Sequence, residues 1–485
     1  MRNRSPIPVQ IGERVFSADD QLVFAQASGD NNPMHVDAVA ARRLLSGRQV
    51  VHGVHTLLLA LELWFKDSNA AAGHVACNFA NPVNVGDRVV FSQTEGDTGQ
   101  TTVTASVDGL VCTEIVIGSA TVSPAPRRAD KTRIRHIAPL ATPLDENPGS
   151  QLGTLIRLDD GATPLDSAFP QVAARLGSRR LAALAQLSYF VGMVCPGQHS
   201  VFSSLHFSPT DAAAAVEFEV HKYDPRFRLF IVGFQGCIQG ELRAFLRPPP
   251  QPQPSTREVS AHVAQGEFKG TRSLVIGGSR GLGEITAKLL GAGGGDVVIS
   301  YATGSDDADA VAADIQAHGA GRCEAVHLDL KGDFLRPEVL DATRLDAVYF
   351  FPTPRIFNKR TELFDRAAFD EFVDFYLHRF YQLCRLLNQT ERLTPIKVYL
   401  PSTVFITERP KGMTEYAMAK AAAEVLAEDL NRSMKNVQII HSRLPRLATD
   451  QTSSIMKMSV ASNVEALLPV VRAVSGQISS AISSL

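Results

Sequence analysis

The chain of 485 residues predicts an α+β unit, a second and degenerate α+β unit, and then an α/β unit on a doubly wound parallel sheet. Three observations carry that expectation. The run Arg247-Pro248-Pro249-Pro250-Gln251-Pro252-Gln253-Pro254-Ser255 is a stiff, extended spacer that separates folded regions. Ahead of it, a long apolar stretch followed by four short strand-like runs occurs twice. Behind it, strand-like and helical segments alternate, beginning with a glycine-rich turn.

The first segment, 1–125, opens with Ser17-Ala18-Asp19-Asp20, an acceptor side chain followed by acids as at a helix start. Residues 52–64 form an apolar stretch long enough for a buried helix. Strand-like runs at 75–79, 88–94, 101–107 and 111–122 follow, an antiparallel meander that would wrap the helix. Ser123-Pro124-Ala125-Pro126 opens a polar stretch to about residue 150, read as a linker. In the second segment, 150–248, the helix falls at 181–194 and the strands at 200–207, 215–220, 227–233 and 237–246. The third, 268–485, has strands at 273–276, 297–301, 325–328, 347–351, 397–400 and 437–440, with a helix from Gly283.

A length of 485 residues exceeds what one hydrophobic core supports, in keeping with this division. A net charge of −2 without single-sign charge runs gives no reason to expect nucleic acid or a membrane surface. The polar start Met1-Arg2-Asn3-Arg4-Ser5-Pro6 lacks a signal-peptide core, and no apolar run reaches the ~18 residues of a spanning helix. The six cysteines include no C-x-x-C pair, so buried free thiols in a reducing, cytoplasmic setting are expected.

The first chemical signature is Ala27-Ser28-Gly29-Asp30-Asn31-Asn32-Pro33-Met34-His35-Val36-Asp37, followed by Val51-His52-Gly53. Adding or removing water beside a thioester carbonyl needs two proton-handling groups on one face of the substrate and a donor at the carbonyl oxygen. Pro33 interrupts any helix through the motif, so a turn can aim Asp30 and His35 into one pocket. Gly53, at the start of the apolar helix, can offer its N–H to the carbonyl oxygen. Residues 16–64 resemble the R-specific enoyl-CoA hydratases of the MaoC-like, hotdog-fold family. The pattern S-G-D-x-N-P-x-H-x-D-x-x-x-A is met by Ser28, Gly29, Asp30, Asn32, Pro33, His35, Asp37 and Ala41. The resemblance implies that Asp30 and His35 are the catalytic pair, that Asn32 positions them, and that Gly53 serves the oxyanion. It gives His52 and His55 no role. It also implies that segment 150–248, which lacks the motif, is the partner copy of a double hotdog.

The second signature combines Gly277-Gly278-Ser279-Arg280-Gly281-Leu282-Gly283 with Tyr416-Ala417-Met418-Ala419-Lys420. The glycines follow a strand and open a helix, where a pyrophosphate can approach the backbone closely. On a helix Tyr416 and Lys420 share a face, and the lysine cation favours the tyrosinate. The segment resembles the short-chain dehydrogenase/reductases over nearly its whole length. That implies a Rossmann domain with a catalytic set of Tyr416, Lys420 and a hydroxyl from Ser402 or Thr403. It also implies cofactor contacts from Gly277, Ser279, Arg280, Gly281, Leu282, Gly283, Tyr301, Asp329 and Thr449, besides Tyr416 and Lys420. The second strand ends Ser300-Tyr301-Ala302-Thr303 without an acid, and Arg280 stands where it can grip a 2′-phosphate, so NADPH is the expected cofactor. Departures from the family are Ile276 before the loop, Phe350-Phe351-Pro352-Thr353-Pro354 for N-N-A-G, Tyr376 for the helix asparagine, and Pro445-Arg446 for P-G.

Together the signatures imply a 3-oxoacyl-thioester reductase joined to a (3R)-3-hydroxyacyl-thioester dehydratase, the substrate riding on coenzyme A or an acyl carrier protein. Arg42, Arg43, Arg48, Arg179 and Arg180 form either a dock for an acidic carrier or an ordinary solvated surface. A homodimer or homotetramer through the reductase unit is a further implication of the family. Two other readings stay open. In one, only the dehydratase acts and the reductase unit is weak or structural. In the other, the chain is a non-catalytic acyl- and nucleotide-binding scaffold.

Overall fold

The computed structural model describes residues 7–44, 46–96, 99–118, 133–159, 164–332, 342–356, 364–452 and 461–476. The proline linker at Ser123-Pro124-Ala125-Pro126 and the last residues of the strand expected at 111–122 lie outside them. The chain divides into two compact units that meet at Pro249 and Pro250, within the proline run.

Among the described residues the amino-terminal unit is built on an eleven-stranded sheet. Its strands are β1 (Val9–Val15), β2 (His74–Phe79), β3 (Arg88–Glu95), β4 (Thr101–Val107), β5 (Leu110–Gly118), β6 (Arg133–Ile137), β7 (Thr154–Leu158), β8 (Ser200–Pro209), β9 (Glu217–Asp224), β10 (Leu229–Gln235) and β11 (Ile238–Leu246). They lie in the order β1-β3-β4-β5-β2-β8-β11-β10-β9-β7-β6. The order β3-β4-β5-β2 is reproduced by β9-β10-β11-β8, and β2 pairs antiparallel with β8, Cys77 opposite Leu205. Each half presents one apolar helix ahead of its meander, Gly53–Asp67 in the first and Ser178–Tyr189 in the second. Strand β6 lies inside the stretch read as linker, so the second half begins before residue 150.

Leu57, Leu58, Leu61, Leu181, Leu184 and Leu187 are fully buried and join a single core that runs through both halves. Truncating any of them to alanine costs about 2–5 kcal/mol. A carboxylate also ties the halves together. Glu62, buried on the first helix, accepts from the backbone N–H of Gln171 (2.9 Å) and Val172 (3.0 Å), the free donors at the start of helix Pro170–Leu176.

Among its described residues the carboxy-terminal unit carries six parallel strands: β12 (Arg272–Ile276), β13 (Asp296–Tyr301), β14 (Arg322–His327), β15 (Ala347–Phe350), β16 (Ile396–Thr403) and β17 (Val437–Leu444). Their order β14-β13-β12-β15-β16-β17 reverses direction between β12 and β15, the switch point at which a doubly wound sheet opens a crevice for ligands. No helix among the described residues is long and apolar enough to cross a membrane.

Candidate functional site

In the amino-terminal unit the acidic motif is bent by two local devices. Gly29 closes helix Ala18–Ser28 with φ 81°, a left-handed conformation that releases the chain at Asp30. Asn32 then caps the short helix Pro33–Val36, its Oδ1 accepting from the Met34 N–H at 3.2 Å. Between them Asp30, 1% exposed, turns inward toward His35. One ligand-type atom each from Asp30, His35 and His52 lie within 4.8 Å of one another, all three buried.

The second half of the unit completes this cluster. Ser188 Oγ donates to Asp30 Oδ2 at 2.7 Å, and Asn32 Nδ2 donates to the Gly192 carbonyl at 2.7 Å. Asp30 Oδ1 accepts from the Asn32 N–H at 3.3 Å. Gly192 lies on a π-helical turn, Phe190–Val194, and a Cβ there would stand 2.1 Å from Asp30 Oδ1. Only a residue without a side chain lets the carboxylate approach this backbone.

Burial raises the Asp30 pKa above the ordinary carboxylate value, against the lowering pull of His35 and its hydrogen bonds from Ser188 and Asn32. Burial likewise lowers His35, which Asp30 and the Val50 carbonyl partly restore and Arg247 lowers further. The two groups thus approach each other in proton affinity. His35 Nδ1 lies 2.6 Å from the Val50 carbonyl, which assigns the proton there and leaves Nε2 open to exchange. His52 stacks on His35 with centroids 3.9 Å apart, and its Nε2 is 3.0 Å from the Asp30 carbonyl and its Nδ1 2.9 Å from Gln21 Oε1. With its pKa pushed well down by burial, His52 is a neutral brace. Gly53 opens the central helix directly after it, its Cα side packed against Phe79.

The sequence motif named Asp30, Asn32, His35 and Gly53 and did not name Ser188, Gly192 or Gln21, which the structure joins to Asp30, Asn32 and His52 by hydrogen bonds. The available signal was a serine and a glycine four residues apart in the apolar stretch 181–194. Of the five arginines considered for a carrier dock, Arg180 donates to the Thr210 and Leu176 carbonyls and Arg48 pairs with Asp87 at 2.7 Å.

In the carboxy-terminal unit the loop after β12 has the shape a dinucleotide requires. Gly277 (φ 75°) and Gly281 (φ 59°) are left-handed, and a Cβ on Gly283 would strike the Gly277 carbonyl oxygen at 2.2 Å. The Gly277 N–H donates to Ser300 Oγ at 3.1 Å, docking the loop on β13. No side chain caps helix Gly281–Ala292, so its amino terminus faces the loop crevice unblocked. Ser279 is buried, Leu282 and Tyr301 are half-buried, and Asp329 is exposed. Thr449 borders Gly281, with Cγ2 3.7 Å from where a Cβ would be, and Arg280 lies 3.7 Å from Asp450.

Tyr416 and Lys420 sit on helix Thr414–Ser433 beside the end of β16. The structure separates the two hydroxyls that the sequence left open. Ser402 Oγ donates to Glu424, which Arg443 also grips through two nitrogens, whereas Thr403 is the hydroxyl hydrogen-bonded to Tyr416. Burial raises Tyr416 to about 12 and lowers Lys420 to about 7. Lys420 Nζ donates to the Pro401 carbonyl at 2.7 Å and lies 3.7 Å from the centroid of the Tyr376 ring, a close cation–π contact. Tyr376 is hydrogen-bonded through its hydroxyl to Thr353, so two departures from the family pattern meet at this point.

Residues 2–114 match the family model described as a MaoC-like domain. Over 83 residues the chain is 31% identical to a 3-hydroxybutyryl-CoA dehydratase of Methylorubrum extorquens, covering 16% of this chain and 53% of that protein. The chain thus spans about half the length of the curated relative it matches. Among solved structures, an alcohol dehydrogenase of Thermococcus sibiricus complexed with 5-hydroxy-NADP is 17% identical, covering 41% of this chain and 88% of that one, with a TM-score of 0.37. A short chain dehydrogenase of Burkholderia cenocepacia complexed with NADP is 22% identical, covering 43% and 91%, with a TM-score of 0.36. That family-model match lies within the first half of the amino-terminal unit.

Proposed function

We propose that this chain is a bifunctional enzyme that reduces a 3-oxoacyl thioester with NADPH and dehydrates the resulting (3R)-3-hydroxyacyl thioester to the enoyl product. The observation that carries the proposal is the buried convergence of Asp30 and His35 within a MaoC-like domain. In dehydration one member takes the α-carbon proton and the other gives a proton to the departing 3-hydroxyl, so water leaves and the C2–C3 double bond forms. Hydration reverses these transfers. The Gly53 N–H holds the thioester oxygen as charge develops there. Residues 133–248 act as the partner copy of a double hotdog, supplying Ser188 and Gly192 while carrying no proton-transfer group of their own.

In the carboxy-terminal unit the Gly277–Gly283 loop and the uncapped helix terminus fit a dinucleotide pyrophosphate, with Thr449 beside it. Bound there, the nicotinamide would supply a hydride. Thr403 orients the substrate carbonyl, Tyr416 gives it a proton, and Lys420 supplies positive charge beside the tyrosine. Arg280 and the absence of an acid at the end of β13 favour NADPH over NADH. The thioester is carried by coenzyme A or an acyl carrier protein.

The decisive experiment supplies acetoacetyl-coenzyme A and NADPH while following nicotinamide absorbance and enoyl product together, with crotonyl-coenzyme A hydration assayed separately. Asp30→Asn should abolish hydration and spare NADPH oxidation, and Tyr416→Phe should do the reverse. A parent that hydrates no enoyl thioester removes the proposal. A second reading, dehydratase activity with a slow reductase, is favoured by the Tyr376 ring over Lys420 and predicts hydration without measurable NADPH oxidation.

A further inference from the structure

Arg247 ends strand β11's extension in the amino-terminal unit as a largely enclosed cation, and no carboxylate among the described residues forms an ion pair with it. Its Nη2 donates to the Gln198 carbonyl at 3.3 Å, while Nε is buried without a partner. Burial lowers its pKa to about 10, the mark of a charge stripped of water and not repaid by a neighbour. Beside it, the Arg247 N–H donates to the His199 carbonyl at 2.8 Å. His199 is 9% exposed and its Nδ1 also lacks a partner. Arg228 is close enough for its charge to reach His199, as does that of Asp145, which is exposed.

This positive group adjoins the catalytic cluster. The Gln198 carbonyl that receives Arg247 also accepts from Asn32 Nδ2 at 3.4 Å, so the guanidinium and the Asn32 amide meet on one oxygen. The Arg247 charge also reaches His35. Two enclosed, unsatisfied nitrogens with one unpaired positive charge, beside the Asp30–His35 cluster, are a site arranged for an anion.

We propose that Arg247 and His199 form an anion subsite that holds a carboxylate or phosphate group of the thioester substrate, Arg247 through its planar guanidinium and His199 through Nδ1. This rests on the thioester reading of the Asp30–His35 pocket. The anion has two sources, a carboxylate on the acyl chain or a phosphate on the carrier arm, and the same chemistry receives both.

The test measures binding with compounds that cannot be hydrated. Calorimetric Kd values are taken for coenzyme A (phosphate), the glutaryl thioester of N-acetylcysteamine (carboxylate) and its acetyl thioester (neither), in the parent protein, Arg247→Met and His199→Leu. The expected result is at least a tenfold loss of affinity for one anionic compound in Arg247→Met, with the acetyl thioester changed less than twofold. His199→Leu should weaken the same compound about threefold. The compound affected identifies the source. Equal losses for all three compounds, no loss for any, or anionic compounds binding the parent no better than the neutral one would each overturn the subsite. Because turnover is not involved, a protein that fails to hydrate crotonyl-coenzyme A refutes the enzymatic reading separately.

Discussion

Ser188 donates a 2.7 Å hydrogen bond to Asp30 Oδ2 from 158 residues further along the chain. The bond favours the ionised carboxylate, opposing the burial that raises its pKa. Ser188→Ala should therefore move the Asp30 pKa up and shift the acidic limb of the hydration pH–rate profile to higher pH. A hydrogen bond to a charged group contributes about 1.5–3 kcal/mol, so kcat should fall roughly tenfold or more. A profile that keeps its shape and merely scales down would deny Ser188 this positioning role.

Gly192→Ala tests the close approach directly. Its Cβ would stand 2.1 Å from Asp30 Oδ1, so carboxylate or backbone has to move. Displacing a reacting group by about 1 Å costs on the order of 100-fold in rate. Hydration should drop by that factor, while NADPH binding at the other unit, followed by fluorescence, stays unchanged.

His55 makes the amino-terminal unit sensitive to acid. It lies among the rings of Phe16, Phe24 and Phe169 with Nδ1 unpartnered, and burial lowers its pKa from 6.5 to about 4. The unfolded chain then binds more protons than the folded one between these values. Stability is full above pH 6.5 and declines as pH falls toward 4, by up to about 3 kcal/mol from this group. Urea unfolding of the parent and His55→Phe at pH 7 and pH 5 should show the smaller loss in the variant.

In the carboxy-terminal unit Lys420, lowered to about 7 by burial, loses its charge just above neutrality. NADPH affinity should weaken as pH rises from 6 to 8.5, and Lys420→Met should flatten that dependence. A second comparison concerns the hydroxyls. Thr403→Val should reduce ketone reduction at least 100-fold, whereas Ser402→Ala, which loses only the bond to Glu424, should cost less than tenfold.

How much of this was legible depended on how far apart the partners lie in sequence. The Asp30-to-His35 turn is local, set by Gly29, Asn32 and Pro33, and the motif exposes it. Ser188 and Gly192 meet Asp30 and Asn32 only after two halves of a sheet join at β2 and β8, and a serine in an apolar helix announces nothing. Strands β1 and β6 were missed because they form the two edges of the sheet, where exposed side chains blur the alternation that marks a buried strand. The sequence left Ser402 and Thr403 both open, spacing to Tyr416 favouring the threonine and residue type the serine. Successive residues of β16 point to opposite faces, so one serine reaches Glu424 and the next residue reaches Tyr416.

Asp30 and the backbone that receives its neighbour Asn32 are carried on one polypeptide, with Glu62 pinning the start of the helix that follows. The two walls of the pocket consequently face each other at a fixed effective concentration that no dilution lowers. Specific hydration activity should hold constant into the nanomolar range, where a site assembled from separate subunits would fall apart.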